Sequence, residues 1–69
     1  MNFRFTKDGE VKEIPYQQLI RSLGMENEEL HGAPLSSGGA PQAASLMLML
    51  QDIMPDMKVG VFLNGNQIL

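Results

Sequence analysis

The 69-residue sequence contains no cysteine and no tryptophan, and only one tyrosine and one histidine, His31. Without cysteine there is neither a disulfide nor a thiolate metal site, two of the usual ways in which very small domains hold together. The same absence fits a reducing compartment, and a cytoplasmic setting is the expectation. Residues 1–7 lack the apolar stretch that a signal peptide needs. The longest unbroken apolar run, residues 46–50, falls far short of the ~20 residues that span a bilayer, so no membrane partner is expected. Bases are also few. Arg4, Lys7, Lys12, Arg21 and Lys58 stand against eight carboxylates for a net charge of −3. They are scattered along the chain, whereas binding a phosphate backbone needs a concentrated basic footprint, so nucleic acid is not an expected partner.

Length sets the next limit. A chain of this size makes a single domain over residues 1–69 and buries roughly 60% of the surface its unfolded form exposes. A core that thin, with no disulfide or metal, makes self-association the first additional source of stability to consider.

What is present begins with alternation: Met1, Phe3 and Phe5 against Asn2, Arg4 and Thr6, the period of a half-buried strand. Asp8-Gly9 supplies a tight turn and residues 11–14 the return strand. A two-residue loop pairs Phe3 with Ile14 and Arg4 with Glu13 and sets Phe5 opposite Lys12. A three-residue bulged loop instead pairs Phe5 with Val11 but opposes Arg4 and Lys12. Opposed like charges cost more than a lysine stem lying along a ring, which favours the first register.

Pro15 suits the first position of a helix, where its missing N–H costs nothing. Tyr16, Leu19, Ile20 and Leu23 follow at helical spacing, Arg21 lies in the last turn, and Gly24 serves as a left-handed cap over which Met25 can pack back. Residues 26–31 are acidic and polar, and residues 32–40 (Gly-Ala-Pro-Leu-Ser-Ser-Gly-Gly-Ala) have the composition of a flexible linker, long enough to permit a domain swap. Pro41 opens and Pro55 closes a second helix over residues 41–53. On its wheel Ala43, Leu46, Met47, Leu50, Ile53 and Met54 form a wide apolar stripe, with Gln42, Ser45 and Asp52 opposite. Leu48 and Met49 flank Ser45 and Asp52, so this methionine-rich helix is apolar nearly all round. Val59, Val61 and Leu63 then share one face of a strand, with Gly60 and Phe62 on the other. Asn64-Gly65 turns the chain into a short last strand that pairs Val61 with Ile68 and Phe62 with Gln67. Leu69 ends the sequence while still apolar, as a terminus tucked into a sheet would, or one cut from a longer chain.

Candidate chemistry is sparse. His31 alone titrates near neutrality, and Ser36 and Ser37 are the nearby hydroxyls in sequence, but a loop rich in glycine fixes no catalytic geometry. Ser36-Ser37-Gly38-Gly39 before a helix has the outline of a phosphate cradle, yet no lysine follows it and Pro41 removes an amide. Glu26, Glu28 and Glu29 match no calcium-loop spacing. No catalytic residue, metal ligand or cofactor is therefore assigned.

Residues 1–24 and 57–66 are arranged as a hairpin, a helix, and later a strand (Val59, Val61, Phe62, Leu63) running into Asn64-Gly65. In this they resemble the small β-grasp proteins, the ubiquitin-like sulfur carriers. The resemblance implies a C-terminal Gly-Gly that a partner enzyme adenylates and thiocarboxylates; here the corresponding residues are Gln67, Ile68 and Leu69, and that chemistry has nowhere to act. The expectation is thus an α+β domain of two β-hairpins in the order ββα, linker, αββ, with a small antiparallel or mixed sheet covered by two helices. Its expected function is non-catalytic protein contact, as a homodimer or with a protein partner. The surface expected to carry it comprises Leu46, Leu48, Met49, Asp52 and Ile53 on the second helix, and the alternative is a carrier-type domain lacking its glycine tail.

Overall fold

In a computed structural model describing residues Met1–Leu69, the N-terminal alternation forms β1 (Asn2–Lys7) and the chain returns as β2 (Glu10–Pro15). The register is the one the charges favour, with Phe3 opposite Ile14, Arg4 opposite Glu13 and Phe5 opposite Lys12. Pro15 closes the strand with ψ of 141° and stands just outside α1 (Tyr16–Ser22) rather than as its first residue. Tyr16, Leu19 and Ile20 turn inward, while Leu23, placed on the buried face by spacing, lies at the cap and is 42% exposed. Gly24 is left-handed, with φ of 69°. Its N–H donates to the Arg21 carbonyl at 3.1 Å and that of Met25 to the Ile20 carbonyl at 2.9 Å, the paired bonds of a Schellman cap, and Met25 packs against the core.

Residues 32–40, read from composition as a linker, are built differently. Glu29–Leu30 (β3) and Ala33–Pro34 (β4) pair as a short hairpin, followed by a 3-10 turn over Leu35–Ser37. His31 and Gly32 form its turn with φ of 57° and 77°, the geometry seen again at Asp8-Gly9 and Asn64-Gly65. Leu35 is fully buried, and the Tyr16 hydroxyl donates to its carbonyl. One core leucine and a buried hydrogen bond thus give this segment a path that its overall polarity conceals.

The second helix, α2, covers Ala40–Ile53, with Pro41 in its first turn. Ala43, Leu46 and Leu50 are buried as the stripe requires, and Met47 and Met54 are half-buried. Two positions depart from the wheel. Gln42, placed on the water side, is 4% exposed because β3 lies over it and its Nε2 donates to the Leu30 carbonyl at 2.8 Å. Ile53, assigned to the buried stripe, is 65% exposed because it is the last helical residue. Gln51 then binds the descending turn, donating to the Met57 carbonyl at 2.6 Å and accepting from the Val59 N–H at 3.1 Å.

β5 (Lys58–Leu63) pairs antiparallel with β1, and β6 (Asn66–Gln67) pairs with β5, giving one four-stranded antiparallel sheet in the order β2-β1-β5-β6. Phe62 lies opposite Gln67, and Ile68 N–H donates to the Val61 carbonyl at 2.8 Å, so the last residues follow the sheet edge by backbone hydrogen bonds while the Ile68 and Leu69 side chains stay exposed. A β-grasp sheet joins its first and last long strands in parallel; here β1 and β5 are antiparallel, so the carrier-like outline of the sequence does not extend to the sheet. The molecule is therefore a small α+β fold with a four-stranded antiparallel sheet, a second two-stranded sheet and two helices.

Both helices cover one face of the larger sheet, where Phe3, Phe5, Val59 and Val61 meet Tyr16, Leu19, Ile20, Leu35, Ala43, Leu46 and Leu50 in a single cluster. The other face is mostly polar; its apolar members include Val11, exposed on the edge strand, and Phe62, which Arg4 covers with its guanidinium carbon 3.7 Å from the ring centroid. Arg4 also reaches Glu13 at 3.4 Å, an exposed pair of small energetic value. The accessible surface of 4485 Å² is close to the about 4300 Å² expected of a folded monomer of 7.6 kDa, so one copy closes its own core.

Candidate interaction surface

The five residues expected to meet a partner do not lie together. Leu46 is completely buried beneath α2 and belongs to the core, so it is no part of any surface. Leu48 and Ile53 are each 65% exposed, Met49 is 36% exposed, and Asp52 is exposed between them in the helical array. Leu48 with Asp52 and Met49 with Ile53 are i, i+4 neighbours, two adjacent rows on the exposed part of the helix. The apolar excess of α2 over one face is thus present in the fold, narrowed to its C-terminal half.

The N-terminal half of the same side is covered. His31 Nε2 and the Ser45 hydroxyl are 2.7 Å apart, and Gln42 holds the Leu30 carbonyl three residues earlier on the helix. Together they fasten the β3–β4 hairpin onto α2. The hairpin ends there, and the row continues bare through Met49 and Asp52.

The His31 contact also concerns chemistry. A histidine nitrogen at hydrogen-bond distance from a serine hydroxyl is the first element of a nucleophile and base, and its serine is Ser45 rather than Ser36 or Ser37. An acyl-transfer site needs in addition a group orienting the second ring nitrogen and donors for an oxyanion. No side chain hydrogen-bonds the other nitrogen of His31, and the histidine is exposed. The pair serves as a latch. Ser36 contributes its carbonyl, which accepts from Gln17 Nε2 at 2.7 Å and ties the 3-10 turn to α1. Glu26, Glu28 and Glu29 do not converge, and no group of three His, Cys, Asp or Glu side chains is placed to hold a metal ion. No helix is long and apolar enough to cross a membrane.

Two surface features were not anticipated from the sequence. A groove of about 510 Å³ runs beside β2, floored by Phe5, Ile14, Met54 and Met57 and rimmed by charged side chains of the first hairpin. Its signal in the sequence was the inward Lys12 opposite Phe5: a lysine there leaves part of a sheet face without an apolar cover. The other feature is the stacking of Arg4 on Phe62, which Gly60 makes possible. A Cβ at Gly60 would stand 3.1 Å from Gln67 Nε2 and 3.3 Å from Phe62 Cε1. Comparison with protein-family models, curated proteins and solved structures finds no significant match for this chain.

Proposed function

We propose that this chain is a non-catalytic protein-interaction module or small assembly subunit, contacting a protein partner, in the first instance a second copy of itself, through the C-terminal half of α2. The observation that carries this reading is the exposure of Leu48, Met49 and Ile53 within two turns of one helix. Apolar side chains exposed singly are ordinary; contiguous ones cost solubility unless something covers them. Methionine suits such a surface because its unbranched, polarizable side chain adapts to a partner. Asp52 supplies the polar group that sets orientation.

The patch is small. A stable interface buries about 800 Å² on each partner, more than four side chains supply, so the association is weak and reversible. Exchange of halves between copies is the less supported route, because Leu35 and the Tyr16 and Gln17 hydrogen bonds tie the intervening segment to its own chain.

Light scattering across about 10 μM to about 1 mM, where weak interfaces assemble, tests the reading. The expected result is a mass that rises toward the dimer and returns to the monomer in Leu48→Glu/Ile53→Glu. A constant monomer mass at every concentration overturns the self-association.

A further inference from the structure

The outer edge of β2 is unpaired, since β2 lies at one end of the order β2-β1-β5-β6. In a two-residue hairpin the residues flanking the turn form a hydrogen-bonded pair, and such pairs recur at every second position. Lys7 and Glu10 flank this turn, so Glu10, Lys12 and Ile14 bond to β1, and the Tyr16 N–H continues the series by donating to the Met1 carbonyl at 2.9 Å. Val11 and Glu13 therefore direct their backbone N–H and C=O groups outward. Their side chains are exposed, Val11 at 61%. The ladder available to a newcomer is short, bounded by the Asp8-Gly9 turn at one end and by Pro15, which has no N–H, at the other.

The groove of about 510 Å³ adjoins this edge on the helix-facing side of the sheet. Its apolar floor includes two methionines, Met54 and Met57, both half-buried. A free edge beside an apolar groove is the arrangement that admits an extended peptide as an added strand, with the backbone providing affinity and alternate side chains the selectivity.

A second copy of this chain is a poor occupant of that edge. Two-fold pairing centred on Lys12 opposes two lysines and pairing centred on Glu13 opposes two glutamates, both unfavourable. Pairing centred on Val11 meets the turn one residue beyond Glu10. We infer that the β2 edge and its groove bind an extended segment of another protein as an antiparallel strand, whose inward side chains run apolar, acidic, basic at alternate positions. The apolar residue lies beside Ile14 over the methionines, the acidic one opposite Lys12, and the basic one opposite Glu10. These are the non-hydrogen-bonded positions of the new ladder, where side chains approach most closely.

The test uses the intact chain, labelled with ¹⁵N and with ¹³C methionine methyls, titrated with the peptide Ac-Thr-Val-Thr-Glu-Thr-Lys-Thr-NH₂ and with its charge-exchanged form, Ac-Thr-Val-Thr-Lys-Thr-Glu-Thr-NH₂. Expected are shifts at the Val11 and Glu13 amides and the Met54 and Met57 methyls, with slowed hydrogen exchange at those two amides. The first peptide binds roughly fivefold tighter, as two cross-strand charge pairs imply, and Glu10→Lys/Lys12→Glu reverses the preference. Absence of shifts at millimolar peptide overturns the inference. So do equal affinities for the two peptides, or shifts confined to Leu48 and Met49. Octanoate perturbing the methionine methyls while neither peptide does would reassign the groove to a small amphiphile and equally overturn it.

Discussion

The two halves of α2 differ in composition and in surroundings: residues 40–46 hold three alanines and one leucine, residues 47–53 two methionines, two leucines and an isoleucine. Gln42, Ala43 and Leu46 lie under the sheet and the β3–β4 hairpin, whereas Leu48, Met49 and Ile53 stand in water. A helix that is apolar all round must be covered all round or meet something else. Here the hairpin covers the first two turns and stops, fixed by His31 to Ser45 and by Gln42 to Leu30. The difference between the halves comes both from where this hairpin ends and from the larger apolar side chains of the C-terminal half. On the proposed reading the covered half serves stability, and the exposed row of the other half, Leu50 excepted, serves contact.

Substitutions that probe the contrast fall in a definite order. Leu35→Ala has the largest expected effect, about 2–5 kcal/mol of lost stability in denaturant unfolding, because it empties a fully buried site; a loose linker would register nothing. Gln42→Ala follows at about 1–2 kcal/mol, since it removes the bond to the Leu30 carbonyl and leaves that acceptor beneath the hairpin. Amide exchange across residues 29–34 should accelerate in the same variant, and unchanged exchange would show that the hairpin is held otherwise. Leu48→Glu/Ile53→Glu, on the bare half, should shift the monomer's stability by no more than about 0.5 kcal/mol while removing association.

The smallest effect is one of pH. Burial raises the pKa of Tyr16 above its usual value of 10.0. A group whose pKa is higher in the folded state contributes stability that is present below its unfolded pKa and lost as pH rises through the folded one. Stability should therefore be insensitive to Tyr16 through neutral pH and decline only above 10.0, and Tyr16→Phe should flatten that decline in a pH series of unfolding curves. A decline that persists unchanged in the phenylalanine variant would show that Tyr16 does not cause it.

Much of the framework was legible in the sequence because it is locally encoded. Asp8-Gly9 and Asn64-Gly65 name their turns, period-two alternation sets β1 and β5, and the like charges of Arg4 and Lys12, which the other register opposes, choose the register. The β3–β4 hairpin was not legible. His31-Gly32 makes the same turn as the other two, but histidine is an unusual carrier of a positive φ and only two residues pair on either side. Three further positions depend on it: composition places Leu35 in a linker, the wheel places Gln42 in water, and sequence proximity groups His31 with Ser36 and Ser37 instead of Ser45. The candidate surface was half legible. Excess apolar content in α2 points to Leu48 and Met49; the wheel itself places Leu46 in the buried stripe, against its inclusion in the contact surface, and misplaces Ile53, which the helix end exposes. The groove beside β2 is signalled only by Lys12 opposite Phe5, and its extent depends on how far two helices reach over four strands.

The central claim, that the bare half of α2 is a contact surface for which the fold itself has no use, is tested most directly by measuring mass and stability together. In Leu48→Glu/Ile53→Glu the account predicts an unfolding free energy equal to that of the parent monomer and loss of the concentration-dependent rise in scattered mass. A variant that unfolds more easily at concentrations where the parent is monomeric would contradict it, by showing that these side chains serve the fold after all.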